Sequence, residues 1–257
     1  TVPGGFDGLG TIQPAQSDYF QAVKAPGHGD FHLLVLAPNS VQEMYDFVSL
    51  GFELAFKYRN PVMILSDGVI GQMMEKVVLS PATPRMTDEY IAEHYGDWAL
   101  TGKKEHSRNI VTSVQLDPVV QEGVDHRLQA KYRRMEQDEV RFEETMCKDA
   151  EYIVVAFGSS ARRSAKAVEM AREAGHKVGL LRPITLYPFP EAQLREMADS
   201  GRVKGFLSVE MNAGQMIEDI RLAVGRDIPI KHFGKDGGMI HSPEEVYSAL
   251  KTNLIEK

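Results

Sequence analysis

Two α/β domains are predicted, on three observations. Apolar runs of strand length alternate with segments of helical periodicity, and capping residues stand where one gives way to the other. At 257 residues the chain is long enough for one large domain or two modest ones, each with its own core. The expected division is a first domain over 1–80, a linker and bridging helix over 81–149, and a second domain over 150–257.

The chain opens on a glycine turn, Gly5 to Gly10, expected to lead into a helix over 14–24. Residues 31–38, FHLLVLAP, read as a strand buried on both faces. Ser40 and Glu43 have the spacing of a capping box, and Val41, Met44, Tyr45, Val48, Phe52 and Ala55 then recur at helical spacing. A second strand, PVMIL at 61–65, completes a parallel β-α-β unit and ends at Ser66-Asp67-Gly68. The run PATPR is a linker signal. Residues 118–148 are expected as one charged helix whose apolar stripe (Val124, Leu128, Tyr132, Met135, Phe142, Met146) is too thin for a core and suits a bridge. From residue 151, strands over 152–157, 177–183, 206–210 and 229–233 alternate with helices. Gly175, Gly201 and Gly225 sit where C-terminal caps belong. Ser242 and Glu245 form a second capping box, with Pro243 at the first helical position.

Charge and cysteine usage exclude several classes of function. A formal net charge of −7 argues against nucleic-acid and anionic-membrane partners. The one basic run, KYRR at 131–134, is followed at once by EQDE. Cys147 is the only cysteine, so no intrachain disulfide and no cysteine-rich iron–sulfur pattern exists. No apolar run reaches membrane-spanning length, and a cytoplasmic location is expected.

The opening loop has Walker A spacing from Gly5 to Thr11 but lacks the lysine, and Gln13 stands where a dinucleotide fingerprint needs its third glycine. Beside it Thr11, Gln13, Gln16, Ser17 and Asp18 offer more hydrogen-bonding groups than a turn requires. His28-Gly-Asp30 precedes the first strand, with no second histidine at metal-ligand spacing. Ser66-Asp67-Gly68 lies at the carboxyl end of a parallel strand, where open α/β sheets place ligands. It is not the thiamine-diphosphate signature: Ser66 replaces the first glycine, and the next asparagine is Asn109. Phe157-Gly-Ser-Ser160 and the turn from Glu210 to Gln215 read either as anion-binding helix starts or as ordinary β-α turns. The loop from Gly234 to Gly238 is equally ambiguous.

Together GLGTIQPAQSDYFQAVK (8–24), HGD (28–30), VLAPNSVQEMYDF (35–47), KYRNPVMILSDG (57–68), GQMME (71–75), RPITLYPFP (182–190), VEMNAGQM (209–216) and GKDGG (234–238) resemble one family. It is the alpha subunits of 2-oxoacid:ferredoxin oxidoreductases, the 2-oxoisovalerate (branched-chain) type in particular. The resemblance implies the C-terminal part of a pyrimidine-type thiamine-diphosphate-binding domain over 1–80 and a transketolase C-terminal-like domain over 150–257. It implies oxidative decarboxylation of a 2-oxoacid with coenzyme A, giving an acyl-CoA, carbon dioxide and reduced ferredoxin. Thiamine diphosphate with Mg2+ would be shared with a partner beta subunit. Iron–sulfur clusters would lie only on partner chains, the beta and ferredoxin-like subunits.

On the same resemblance Gly8, Gly10, Thr11, Gln16, His28 and Asp30 are expected to wall a 2-oxoacid and cofactor pocket, Thr11 and Gln16 offering hydrogen bonds. No catalytic residue or metal ligand is assigned. Two departures stand out. Family members begin with a further half-domain bearing a Tyr-Pro-Ile-Thr-Pro motif and the acid that activates the cofactor, so an N-terminal part is expected to be missing here. Pro3 occupies the place of the arginine that pairs with the substrate carboxylate, and Phe6-Asp7 expands the loop by one residue. A 2-oxoglutarate- or pyruvate-type member, or a non-catalytic assembly module on this scaffold, remain as alternatives.

Overall fold

The computed structural model describes residues 13–24, 27–81, 84–100 and 109–256. Gly8, Gly10 and Thr11 therefore lie outside the described residues. The elements are α1 (Tyr19–Val23), β1 (Leu34–Leu36), α2 (Val41–Tyr58), β2 (Val62–Ile64), α3 (Gly68–Gln72), α4 (Asp88–Tyr95), α5 (Pro118–Asp138) and β3 (Phe142–Thr145). They continue with β4 (Tyr152–Val155), α6 (Gly158–Glu173), β5 (Val178–Pro183), β6 (Thr185–Tyr187), α7 (Glu191–Asp199), β7 (Gly205–Glu210), α8 (Met216–Val224), β8 (Ile230–Gly234) and α9 (Pro243–Leu250), closed by a π-helical turn, Lys251–Ile255.

One sheet has the order β2-β1-β6 and the other β3-β5-β4-β7-β8. The expected parallel pairings are present: β1 with β2, and β4 with β5 and β7, followed by β7 with β8. The central strands β5, β4 and β7 of the larger sheet are buried on both faces, as parallel strands between helix layers must be. Ile153, Val155 and Phe206 face α1, α7 and α8, whereas Val154, Leu207 and Val209 face α6 and α9.

Four sequence expectations change. The helix over 14–24 begins only at Tyr19, because Gln16 N–H pairs with the Met211 carbonyl (3.0 Å) and holds the preceding chain out of the helix. The long helix over 118–148 stops at Asp138. Phe142 through Thr145 instead pair antiparallel with β5 as the edge of the larger sheet. The sequence reading passed over β6, which follows Pro183 by one residue and pairs antiparallel with β1. Through β6 the 150–257 region gives a strand to the smaller sheet. The described residues up to Val77 and from Gln129 onward make one compact unit, with Val78–Leu128 as a second. Finally, the α2 row read as the helix's apolar face is not the buried one: Phe47, Gly51, Leu54 and Tyr58 pack inward.

Ser40 caps α2 as expected, accepting from Glu43 N–H (3.1 Å). The Glu43 carboxylate turns elsewhere. It accepts from Asn39 N–H and from both terminal nitrogens of buried Arg182 (2.8 and 2.7 Å), and the Arg182 Nε meets Glu143 at 2.9 Å. That fork joins α2, β5 and β3. The second capping box forms in full at Ser242 and Glu245. In the Val78–Leu128 unit, Thr87 caps α4, His94 stacks on Tyr90 (4.0 Å), and Asn109 donates to the Gly96 and Ala99 carbonyls. None of that unit's described residues is buried.

Two side chains anchor the far end of the larger sheet. Glu210 is fully buried; its carboxylate accepts from Gln215, Met216 and Ile217 N–H (3.1, 2.7 and 3.0 Å) and from Ser208 Oγ (2.7 Å). It is the N-terminal anion of α8. His241 is buried against the Phe233 ring (5.1 Å), and burial, then the Lys235 charge, hold its pKa down at about 4.

Glu210→Gln turns an amide N–H2 toward backbone donors. It is expected to lower unfolding free energy by about 3 kcal/mol, read from urea midpoints at unchanged slope. His241 is neutral in the fold, whereas the unfolded chain protonates near 6.5. Its contribution is complete above pH 6.5, is lost as pH falls toward 4, and is flat below. His241→Phe is expected to flatten the stability profile across that window by roughly 2–3 kcal/mol, measured by denaturant titration at each pH.

Candidate functional site

In the larger sheet β5 lies on one side of β4 and β7 on the other. Connections leave β4 (toward β5) and β7 (toward β8) in opposite directions, which opens a crevice at the carboxyl ends of those two strands, the usual ligand position of an open α/β sheet. Here the chain fills it with Gln16. The Gln16 Nε2 donates to the Phe157 carbonyl (2.9 Å) and to Asp67 Oδ2 (3.2 Å). Its Oε1 accepts from Ser160 Oγ (3.0 Å) and Met211 N–H (3.1 Å). Asn212 Nδ2 donates to the Gln16 carbonyl, and Gln215 receives Phe20 N–H while donating to the Ser17 carbonyl. Tyr19 and Lys24 both reach Asp219 on α8.

Asp67 completes the junction from the smaller sheet. Its Oδ1 caps α3 through Val69 and Ile70 N–H (3.1 and 3.2 Å), and its Oδ2 accepts Ser159 N–H (2.8 Å) at the start of α6. Gly158 stands between, at φ +56; a Cβ there would lie 2.7 Å from Asp67 Oδ2 and 2.9 Å from Gln16 Nε2. A shallow crevice remains open over Ala15, Gln16, Asp18, Leu65, Ser66, Asp67 and Phe157.

This geometry revises the expected site. Gln16 is buried and its carboxamide is spent inside the chain, so the hydrogen bonds expected of it toward a ligand are not available. His28 and Asp30 are exposed and precede β1, beside the amino ends of the strands: Asp30 accepts from Gln129, and Asn60 donates to His32 and Pro61 carbonyls. They do not share the Gln16 crevice, because β1 and β2 run parallel and Asp67 lies at the opposite end. Neither strand-to-helix turn of the larger sheet is an open anion seat, since Asp67 and Glu210 already occupy them. The legible signal for this was Asn212-Ala-Gly214, an Asx turn whose side chain accepts Gly214 N–H (2.8 Å).

A larger cavity, about 960 Å³, opens beside β6, the end of α5 and the start of α7. Sequence reading missed it because its walls come from separate segments. His32 stacks on Tyr187 (4.3 Å), and Tyr187 donates to Glu136 (2.9 Å). Burial lowers the His32 pKa, whereas burial and then Glu136 raise that of Tyr187, so His32 is held neutral and the phenol protonated.

Thiamine diphosphate needs amides for its phosphates and oxygen ligands for a divalent cation. The Ser159 amide at the start of α6 and three amides at the start of α8 are taken by this chain's own carboxylates. Among the described residues no group of three or more His, Cys, Asp or Glu side chains is gathered to hold a metal. The described residues therefore do not fit the diphosphate and metal end of that cofactor. Cys147 is buried and its thiol is pushed up to about 12, by burial first and then by Glu144. No described helix is long and apolar enough to cross a membrane.

Comparison with known proteins places this architecture. Residues 7–146 match the family described as pyruvate flavodoxin/ferredoxin oxidoreductase, thiamine diphosphate-binding, and residues 150–246 match pyruvate:ferredoxin oxidoreductase core domain II. The chain is 51% identical over 226 residues to the ketoisovalerate oxidoreductase subunit VorB of Methanothermobacter marburgensis, covering 87% of this chain and 61% of that one. It is 32% identical over 266 residues to the 2-oxoglutarate synthase subunit KorA of Methanocaldococcus jannaschii, covering 95% and 70%. Among solved structures, 2-oxoglutarate:ferredoxin oxidoreductase from Magnetococcus marinus shares the fold at a TM-score of 0.73 and 23% identity, over 98% of this chain and 47% of that chain. The chain thus spans about three-fifths of the VorB relative's length. On these matches, the chain belongs to the 2-oxoacid:ferredoxin oxidoreductase family.

Proposed function

We propose that this chain works as part of an alpha-type subunit in an enzyme that oxidatively decarboxylates a branched-chain 2-oxoacid, 2-oxoisovalerate, with coenzyme A. Electrons pass to ferredoxin through partner subunits. The observation that carries this reading is 51% identity with the ketoisovalerate oxidoreductase subunit, against 32% with the 2-oxoglutarate synthase subunits. Bound thiamine diphosphate supplies the carbanion chemistry of such enzymes. In this proposal Mg2+ and the diphosphate are held by a beta subunit and the iron–sulfur clusters by partner chains. The occupied helix starts and the single buried cysteine favour that division. The reaction takes place in the cytoplasm.

Within the subunit, Gly8, Gly10 and Thr11 border the 2-oxoacid, glycine allowing close approach and the hydroxyl a hydrogen bond. Gln16 acts as a positioning residue: it fixes Gln16 through Phe20 on the β7–α8 turn, five residues after Thr11. His28 and Asp30 stand away from that crevice and are given no role in it.

Reduction of viologen by the reconstituted complex, with coenzyme A and each 2-oxoacid in turn, tests the substrate. 2-Oxoisovalerate is expected to exceed 2-oxoglutarate and pyruvate by about tenfold or more in kcat/KM, roughly 1.4 kcal/mol of discrimination. A reversed order would assign the chain to the 2-oxoglutarate or pyruvate type, and no turnover with any of them would favour an assembly module. A second expectation concerns the chain by itself. Titration calorimetry with thiamine diphosphate and Mg2+ should give a Kd weaker than about 1 mM for the isolated 257 residues, with no viologen reduction. Tight binding or turnover without partners would refute the division of labour.

A further inference from the structure

Helix α1 is five residues long, too short to persist on its own propensity, and the Asp18 side chain does not cap its start. It is held instead from α8 and the turn before it. Asn212 donates to the Gln16 carbonyl (2.8 Å), while Gln215 donates to the Ser17 carbonyl (2.9 Å) and accepts from Phe20 N–H (2.8 Å). These bonds fix the backbone where it enters α1. They do not reach its far end.

Asp219 lies four residues after Gln215, on the same face of the helix. Its Oδ2 accepts from Tyr19 Oη (2.5 Å) and its Oδ1 from Lys24 Nζ. Tyr19 is the first residue of α1 and Lys24 its C-cap, so one carboxylate spans the helix from end to end. The Tyr19 ring is fully buried beside Phe157 (5.8 Å), and burial, then Asp219, raise its pKa well above the usual value, so the phenol keeps the proton it donates. A carboxylate suits this place because it accepts from both partners and carries the charge opposite to the ammonium. An amide of the same shape would accept from one of them and set its own N–H2 against the other. Ala22 and Val23 of α1 already share an apolar core with Ile220, Ala223 and Val224 of α8, so the polar tie adds direction rather than adhesion.

The geometry points to Asp219 as a second positioning residue, one that fixes the roll and the end of α1 and thereby the course of the chain back through Gln16 toward Thr11. Affinity for the 2-oxoacid is the property it sets. Gln16 and Gln215 hold the first turn, and a segment held at one end still swings about it. Asp219 removes that freedom by taking the other end. Lys24 contributes from the surface, at 40% side-chain exposure, whereas Tyr19 contributes from the core. The inference rests on the proposed place of Gly8, Gly10 and Thr11 beside the 2-oxoacid.

Viologen reduction by the reconstituted complex, with 2-oxoisovalerate and coenzyme A varied in turn, tests it. Lys24→Met leaves the buried Tyr19 bond in place and Asp219→Asn keeps an acceptor for the phenol, so both variants are expected to fold. Each should raise KM for the 2-oxoacid by about fivefold or more, with kcat and the KM for coenzyme A within about twofold of the unaltered complex. Arg226→Met removes the exposed Arg226–Asp199 ion pair, which has no tie to α1, and should change neither KM. The Ala22 amide, which donates to the Asp18 carbonyl (2.9 Å), should exchange about tenfold faster in Lys24→Met and Asp219→Asn. An unchanged KM for the 2-oxoacid, or a fall in kcat alone, would overturn the inference, the second outcome marking a merely structural contact. No turnover by the unaltered complex would instead count against the proposed function. Ala22 exchange at the unaltered rate in both variants would then overturn the inference by itself.

Discussion

The carboxamide of Gln16 is the contact on which the larger unit depends. It donates twice and accepts twice, joining the ends of β2, β4 and β7 in one buried place. A neutral amide suits this position because both kinds of backbone group converge there: the Phe157 carbonyl needs a donor and Met211 N–H needs an acceptor. A lysine would satisfy the carbonyl and Asp67 but leave Met211 unpaired, and a glutamate would set two carboxylates side by side. Each alternative leaves a buried polar group without its partner, the costly case in a low-dielectric interior.

From that contact follows the chemical character of the described surface. Open α/β sheets offer anions a seat at the carboxyl edge because helix amides converge there without partners. In this chain Asp67 takes the amide at the start of α6, and Glu210 takes three at the start of α8. The edge is built as an internal clamp, with its negative charges supplied from within. The same clamp fixes Gln16 through Phe20 against the β7–α8 turn.

Much of the architecture was legible in the sequence. Strand–helix alternation after residue 151 needed only apolar runs and caps, and Gly225 closes α8 in the left-handed conformation expected of it. What was not legible depended on tertiary partners. Residues 142–145 carry charge enough to continue a helix, yet pairing with β5 makes them a strand. Thr185 through Tyr187 is too short a run to announce itself beside two prolines. The α2 periodicity was correct while its face was not, since a helix apolar over half its girth does not state which part meets the sheet. For the site, residue type marked Gln16 and Asp67 as unusual but could not tell an outward hydrogen bond from an inward one. That distinction requires knowing that Phe157, Ser160 and Met211 arrive at the same point.

The smaller sheet explains why the described residues up to Val77 and those from Gln129 onward pack as one compact unit. A three-stranded sheet buries little by itself. Here β6 closes one side of β1, Asp67 bonds across to α6, and Glu43 bonds across to Arg182 on β5. Each of these ties a short strand or its helix to the five-stranded sheet, whose two packed faces supply most of the core. Displacing β2 or α2 would therefore strand Asp67 and Glu43 as well as expose apolar area, removing partners from Ser159 and buried Arg182. The smaller sheet is held in place by polar groups that only the larger sheet can satisfy, and this coupling fixes its position although its own core is thin.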